Sequence, residues 1–340
     1  MPYTLFQGGR RRRRRGRRLV AVLTLLAAAA AVAAAIVLRP ADPVDPRSAA
    51  SRDTAATALV APAPRPASRP AAGGGTAPAP LGVRFEESRD RVAVRFKHPT
   101  RSALLFDLDT GRVLWRKDPT RTLPIASLTK MMTALVVDDR VPRGDRVRIT
   151  REALDYNGSA VGVLPLGKRV NVNTLLHGLL LPSGNDAAIA LAQHAAGSVR
   201  RFVGLMNASA ASMGLGCTRF SSPDGYRNRG NHSCAADLAA IARAVLRRPR
   251  LARIVARRQA ALPFPIKGGR LYLYNNNPLL RQGYRGTTGL KTGYTDAAGR
   301  CLVATARRGQ IRLGVVLLHS PDPGKQAMQL LDRGFRAARS

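Results

Sequence analysis

Apolar and polar residues alternate with different rhythms along this chain. Leu19 to Leu38 is a run of twenty residues without a charge, long enough to cross the hydrocarbon core of a bilayer as a helix. From Arg39 to Leu81 no apolar periodicity is present. That stretch is Pro, Ala, Gly and Ser, with nine prolines and the run Gly73-Gly74-Gly75, and it predicts a semi-extended spacer that cannot bury enough surface to fold. Beyond it, strand-length and helix-length apolar runs follow one another. Ser102 to Leu108 and Arg112 to Arg116 flank Asp109-Thr110-Gly111 and predict a hairpin. Pro124 marks a helix start, and Ser127 to Val137 carries Met131, Met132, Ala134 and Leu135 on one buried face. Leu175 to Leu181 and Ala187 to Ala196 predict two helices separated by Pro182, with Ser183-Gly184-Asn185 as the corner between them. Leu302 to Ala306 and Ile311 to Leu318, joined through Arg308-Gly309-Gln310, predict a second hairpin, and Gly324 to Arg336 predicts a closing helix. Lys291 to Gly293 is expected as an edge strand facing Ser127.

Charge orients this pattern. Residues 1–18 hold eight arginines, which keep that end cytoplasmic by the positive-inside rule. The expected organisation is a cytoplasmic Arg-rich tail at 1–18, a transmembrane signal anchor at 19–38, a Pro/Ala-rich linker at 39–81 and an extracytoplasmic folded domain at 82–340. A cleavable signal peptide with an Ala-x-Ala site near Ala33 to Ala35 competes with the anchor and would give a secreted protein. The paired arginines also permit twin-arginine export. The net charge is +36, with 49 arginines against seven lysines. It reads either as attraction to anionic polymers outside the membrane or as an arginine-rich solvated face. Nucleic acid is not expected as a partner, because no aromatic-basic reader motif occurs and export removes it.

Cys217 and Cys234, in a loop-rich stretch, allow a disulfide in an oxidising compartment or two buried free thiols; Cys301 must be free in either case. The five histidines are scattered and show no metal-ligand spacing. No metal and no cofactor are expected.

The chemistry lies in three short motifs in one order: Ser127-Leu128-Thr129-Lys130, Ser183-Gly184-Asn185 and Lys291-Thr292-Gly293. A Ser-x-x-Lys, a Ser-x-Asn and a Lys-Thr-Gly supply what acylation of a serine needs without histidine: a nucleophile beside an amine, a polar relay and an anchor for a carboxylate. Residues i and i+3 share a helix face, which brings Lys130 beside Ser127, and a helix N-terminus favours the developing alkoxide. Each motif alone has a plain structural reading as cap, turn or surface lysine. A lysine inside so apolar a helix argues against that reading for Lys130.

These residues resemble the serine D-alanyl-D-alanine carboxypeptidases among the low-molecular-mass penicillin-binding proteins. The likeness extends to Ala126 to Ala134, Ser183 to Ala187, Asn277-Pro278-Leu279-Leu280 and Gly289 to Thr295, and Met206 to Tyr226 is similar to the family's linking segment. It covers about Gly82 to Phe335. The resemblance implies a β-lactamase/transpeptidase-like α/β (mixed) fold: an antiparallel sheet flanked by helices, an all-helical subdomain, and the active site between them. It implies Ser127 as acyl-enzyme nucleophile, Lys130 as its base, Ser183 as proton relay and Asn185 as orienting group. Lys291 and Thr292 would grip the substrate carboxylate, and the backbone amides of Ser127 and Tyr294, beside Gly293, would form the oxyanion hole. Crowding by Lys291 is expected to lower the pKa of Lys130. The implied substrate is a peptidoglycan stem peptide ending in D-Ala-D-Ala, with β-lactams as covalent inhibitors. Many family members carry a further β-rich domain and an amphipathic anchor; here the N-terminal helix is expected to anchor instead. A β-lactamase would need a glutamate for deacylation, and the only glutamates are Glu86, Glu87 and Glu152, none after Ser183. Endopeptidase or transpeptidase action on the same site, and an inactive wall-binding scaffold, are the other readings.

Overall fold

The computed structural model describes residues 81–85, 90–226, 230–266 and 269–338. The strands that matter for the site are β1 (Ser102–Asp107), β2 (Val113–Lys117), β3 (Gln259–Pro263), β4 (Arg270–Tyr274), β5 (Thr287–Thr295), β6 (Gly299–Arg308) and β7 (Ile311–Leu318). Five of them form one antiparallel sheet in the order β2-β1-β7-β6-β5. The two expected hairpins are therefore neighbours, joined through β1 and β7. The strand that carries Lys291-Thr292-Gly293 is the sheet edge, as expected.

The central strands are apolar throughout because both faces of the sheet are covered. Ala103, Leu105, Leu302, Ala304, Leu313, Val315 and Leu317 pack on one face against Leu330, Leu331 and Phe335. Those three lie on the closing helix α7 (Pro323–Ala337), which Asp322 caps by accepting from the Lys325 amide at 3.1 Å. The alternate residues Leu104, Phe106, Val303, Val316 and Leu318 face the opposite way, into the larger core. Period-two alternation thus divides one strand between two cores. Gly314 lies opposite Phe106 in the β1–β7 register, and a Cβ there would come within 2.7 Å of the Phe106 ring.

The larger core belongs to the helices: α1 (Lys130–Arg140), α2 (Val172–Leu180), α3 (Asn185–Ala196), α4 (Val199–Ser212), α5 (Ala235–Arg247) and α6 (Pro249–Val255). Helix α1 is its axis, buried from Lys130 to Val137 and packed against α2, α3, α4 and α5. An apolar surface on all sides is what a helix needs to sit at the centre of others. Not every arginine lies on a solvated face. Arg243 on α5 is buried and donates to the carbonyls of Leu81, Gly82, Leu108 and Asp109, so it ties the start of the domain to the β1–β2 turn.

The sequence expectation places an α-helix from Ser127. The structure instead forms a 3-10 turn over Ala126–Thr129, and the α-helix begins at Lys130. The edge strand also runs well beyond Lys291 to Gly293, because its backbone pairs with β6 from Thr287 to Thr295. Apolarity marks only the buried part of a strand, whereas pairing continues into its polar ends.

Cys217 and Cys234 form a disulfide, with Cα atoms 5.6 Å apart, and Cys301 is a buried free thiol. The bridge joins the segment after α4 to the N-terminus of α5 and so encloses residues 218–233. Serine at both positions should lower the unfolding free energy by about 3 kcal/mol, the chain-entropy value for a loop of this size. Thermal melts with and without reductant check this; an unchanged midpoint would contradict it.

Among the described residues no helix is long and apolar enough to cross a membrane. The expected tail at 1–18, the anchor at 19–38 and all but the last residue of the linker at 39–81 lie outside the described residues.

Candidate active site

The 3-10 turn brings the first pair together. At three residues per turn, positions i and i+3 eclipse one another. Lys130 Nζ accordingly lies 2.8 Å from Ser127 Oγ, closer support than an α-helical face offers. The turn begins at Ala126, held at φ 47°, a left-handed conformation that an alanine does not choose locally. Ser183 at φ 71° is in the same region on the opposite wall. Strain of this kind, of order 1–3 kcal/mol per residue, is held in place by surrounding packing.

The Lys130 amine is fully buried and has three partners. Besides Ser127 Oγ it donates to Asn185 Oδ1 at 2.7 Å and to the Asp224 carbonyl at 2.7 Å. Three donors and three acceptors leave the ammonium satisfied, so the group is poised rather than misfolded. Burial pulls its pKa down to about 8, against the carboxylates of Asp224 and Asp186, which favour the charged form.

Asn185 opens α3 at the corner after α2, as expected, and the corner is braced from both sides. Its Nδ2 donates to the Asn157 carbonyl at 2.5 Å and its backbone N–H to Ser159 at 2.8 Å. Beside it, the buried Asp186 carboxylate accepts from the amides of Val161, Gly162 and Ala187. That loop is thereby fastened to the N-terminus of α3, where a carboxylate is favoured. Ser183 Oγ is buried without a hydrogen-bond partner among the described residues, and it faces the cleft. A hydroxyl in that condition is available to a bound group.

Strand β5 forms the facing wall. A Cβ on Gly293 would stand 3.1 Å from the Ser127 amide nitrogen and 3.0 Å from the Ile125 carbonyl, so a side chain there would press on the turn. Thr292, Gly293 and Tyr294 line the cleft with Ser127, Ser183 and Asn185, around a volume of about 390 Å³. Lys291 lies one residue before Thr292 on this strand. Its amine is buried and donates to the Thr292 carbonyl at 2.9 Å. Burial, followed by the charge on Lys130, lowers the Lys291 pKa well below the usual lysine range. The repulsion expected to lower the pKa of Lys130 is borne by Lys291, and Lys130 is shifted by burial.

A cleft-lining serine on a buried lysine, braced by a Ser-x-Asn corner and faced by a Lys-Thr-Gly edge strand, is the arrangement that the following match accounts for. The family described as D-alanyl-D-alanine carboxypeptidase matches residues 88–322, across all three motifs. The chain belongs to this family. It is 34% identical over 259 residues to the D-alanyl-D-alanine carboxypeptidase DacF of Bacillus subtilis, covering 74% of this chain and 66% of that protein. Identity to DacA of Escherichia coli is 37% over 249 residues, covering 69% and 60% respectively. The chain thus spans 60–66% of the length of these two relatives. Among solved structures, a Mycobacterium tuberculosis D-alanyl-D-alanine carboxypeptidase superposes with a TM-score of 0.67 at 34% identity, covering 72% of this chain and 94% of that one. A Streptomyces DD-transpeptidase gives the same TM-score at 31% identity, covering 72% and 100%. The fold is the β-lactamase-like fold of these penicillin-binding enzymes.

Several residues of this carboxypeptidase-family site are invisible to motif reading. Asp224 acts through its backbone carbonyl, which any residue possesses. Its position is fixed because its carboxylate accepts from Ser222 Oγ at 2.6 Å and from the Tyr226 amide, while Thr133 Oγ1 on α1 holds the adjacent Pro223 carbonyl at 2.6 Å. Arg300 reaches the cleft only because it pairs with Tyr294 across the β5–β6 register. Its guanidinium donates to the Pro321 carbonyl at 3.0 Å. Asn276 also lines the cleft, donating to the Pro182 carbonyl at 3.1 Å.

Proposed function

We propose that this protein is a serine-type D-alanyl-D-alanine carboxypeptidase that trims peptidoglycan stem peptides ending in D-Ala-D-Ala, and that β-lactams acylate it at the same serine. The observation that supports this best is the Lys130 amine, buried and bound at once to Ser127, Asn185 and Asp224. With Lys130 neutral, its lone pair accepts the Ser127 proton as Oγ adds to the D-alanyl carbonyl carbon. The backbone amides of Ser127 and Tyr294 would stabilise the oxyanion. Ser183 passes the proton to the departing D-alanine nitrogen, the C–N bond breaks, and water hydrolyses the resulting ester. Thr292 and Arg300, which line the cleft, would bind the substrate carboxylate, with the Lys291 amine beside them on the Thr292 carbonyl. The charge pattern around Leu19 to Leu38 supports a membrane anchor that holds this chemistry outside the cytoplasm.

The test is D-alanine release from a peptide ending in D-Ala-D-Ala, with mass spectrometry of the protein after penicillin treatment. Ser127→Ala should abolish release and the adduct together. Undiminished release in that variant would sink the assignment. Likeness to a DD-transpeptidase adds a second reading, in which an amine replaces water as acceptor. New amide product in the presence of an added D-amino acid would reveal it.

A further inference from the structure

The carbonyl that holds Lys130 belongs to a loop with little apolar packing of its own. Asp224 lies within residues 218–233, the stretch that the Cys217–Cys234 disulfide closes at its base. Among the described residues of that stretch, only Phe220 joins a hydrophobic core. A segment with so few buried apolar contacts opens locally at low free energy unless its ends are tied. Here the ties are polar or covalent. Arg219 and His232 exchange backbone hydrogen bonds at 3.0 Å just inside the bridge, and Asn231 Oδ1 accepts from the amides of Ser221 and Ser222. The Cys217 amide donates to Asp237 on α5 at 2.8 Å.

This loop touches both partners of the catalytic pair. Its Asp224 carbonyl accepts from Lys130 at 2.7 Å and its Pro223 carbonyl from Thr133 on α1 at 2.6 Å, while Tyr226 lines the cleft. At its far end, His232 and Ser233 pair with Leu123 and Pro124, the residues that lead into the turn bearing Ser127. Nucleophile and base are thus positioned against one loop. The two sulfurs that close it are unequally protected: Cys217 is partly exposed, whereas Cys234 is buried at the start of α5. A thiolate from solvent reaches Cys217 first.

We propose that the Cys217–Cys234 bridge is a redox-sensitive positioning device for Lys130, whose reduction by a dithiol slows acylation of Ser127 while the domain stays folded. This rests on the role of Lys130 given above. The exchange balances: a thiolate of the dithiol attacks Cys217 Sγ, the S–S bond breaks, and Cys234 leaves as a thiolate that takes a proton. The second thiol of the reductant then displaces Cys217, so the protein gains two electrons and two protons and the dithiol becomes a disulfide. Residues 218–233 are afterwards held by hydrogen bonds and Phe220 alone, and the Asp224 carbonyl is no longer fixed on Lys130. The apolar cores lie mainly on the sheet and the helices, outside this loop, so the rest of the fold persists.

The test follows acylation of the full chain by labelled penicillin, at a temperature where circular dichroism shows every variant folded. It separates the rate constant for acylation from the dissociation constant of the complex that precedes it. In dithiothreitol the rate constant should fall about tenfold, as expected for a base held less closely, with the dissociation constant within about twofold. Cys217→Ser with Cys234→Ser should show the same low rate and no response to dithiothreitol. Cys301 is already a thiol and takes no part. Excess of a low-molecular-mass disulfide should restore the reduced wild type to its original rate. Leu330→Ala on α7 is the stability control: it leaves a cavity in the other core, so its rate should stay within about twofold of wild type. A double-serine variant that acylates at the wild-type rate, or a loss in Leu330→Ala as large as in that variant, would overturn the proposal. If wild type forms no adduct with or without dithiothreitol, the reading of Ser127 and Lys130 fails, and this proposal with it.

Discussion

Lys130→Met lowers the rate constant for acylation, by penicillin or by a D-Ala-D-Ala peptide, by about 10³-fold, within the range that general-base catalysis supplies. The amine is the group within proton-transfer distance of Ser127, at 2.8 Å, and burial holds its pKa at about 8. The neutral form is the base, so kcat/KM in the wild type should fall tenfold per pH unit below about 8 and level off above it. The variant should retain a small, pH-flat residue of activity. A wild-type profile that stays flat from pH 6 to 9, or a variant with the same slope, would remove Lys130 from this role.

The same shift has a stability consequence, and its sign is fixed. Above pH 10.5 neither the folded nor the unfolded chain carries this proton. As pH falls from 10.5 toward 8, the unfolded chain binds a proton that the folded one refuses, so stability is lost across that window. Below about 8 both states are protonated, and the loss is constant at about 3 kcal/mol. Urea unfolding between pH 8 and 10.5 should show stability rising with pH, less steeply in Lys130→Met; the remaining slope belongs in part to Lys291.

Gly225→Ala has the second large effect. Gly225 sits at φ 74°, and an added Cβ would overlap the Ala126 carbonyl oxygen, with the carbonyl carbon at 2.6 Å and Thr129 Oγ1 at 2.7 Å. Those atoms belong to the 3-10 turn that carries Ser127, and backbone cannot move aside as a flexible side chain would. The expected loss is about 3 kcal/mol of stability, from overpacking together with left-handed strain. Displacement of the neighbouring Asp224 carbonyl from Lys130 should also reduce acylation by about 10²-fold, since the base is then misplaced. Gly309→Ala is the control. Its φ is 62° with nothing within 4 Å of the new atom, so it should cost only about 1 kcal/mol and leave acylation alone. If the two variants behave alike, the contact with the turn is not what requires glycine at 225.

Much of the sheet was legible before any coordinates. The runs at Ser102 to Leu108, Leu302 to Ala306 and Ile311 to Leu318 are apolar because helices cover both faces of the sheet, and apolarity of that density is visible in the chain. Helix α1 was legible for the same reason. Its first turn was not: whether Ser127 lies on an α or a 3-10 turn depends on how Ala126 is pressed between Gly225 and Gly293, residues far away in sequence. The β3–β4 hairpin, with its alternating Tyr272 and Tyr274, was not assigned in advance either. Its strands are short and packed on one side only, so their pattern is weak.

The sequence by itself determined which side chains could do the chemistry: Ser127 with Lys130, Ser183 with Asn185, and the Lys291-Thr292-Gly293 strand, in an order that admits acyl transfer on serine. Local residue identity suffices there, because nucleophile and base lie three residues apart on one turn. Tertiary structure alone decided the rest. It chose the Asp224 carbonyl as the third partner of Lys130, drew Arg300 into the cleft by strand register, and buried the Lys291 amine against the Thr292 carbonyl. It also set the pKa of Lys130, because the free energy of a charge depends on how much water every surrounding element excludes, and no short stretch of sequence carries that information.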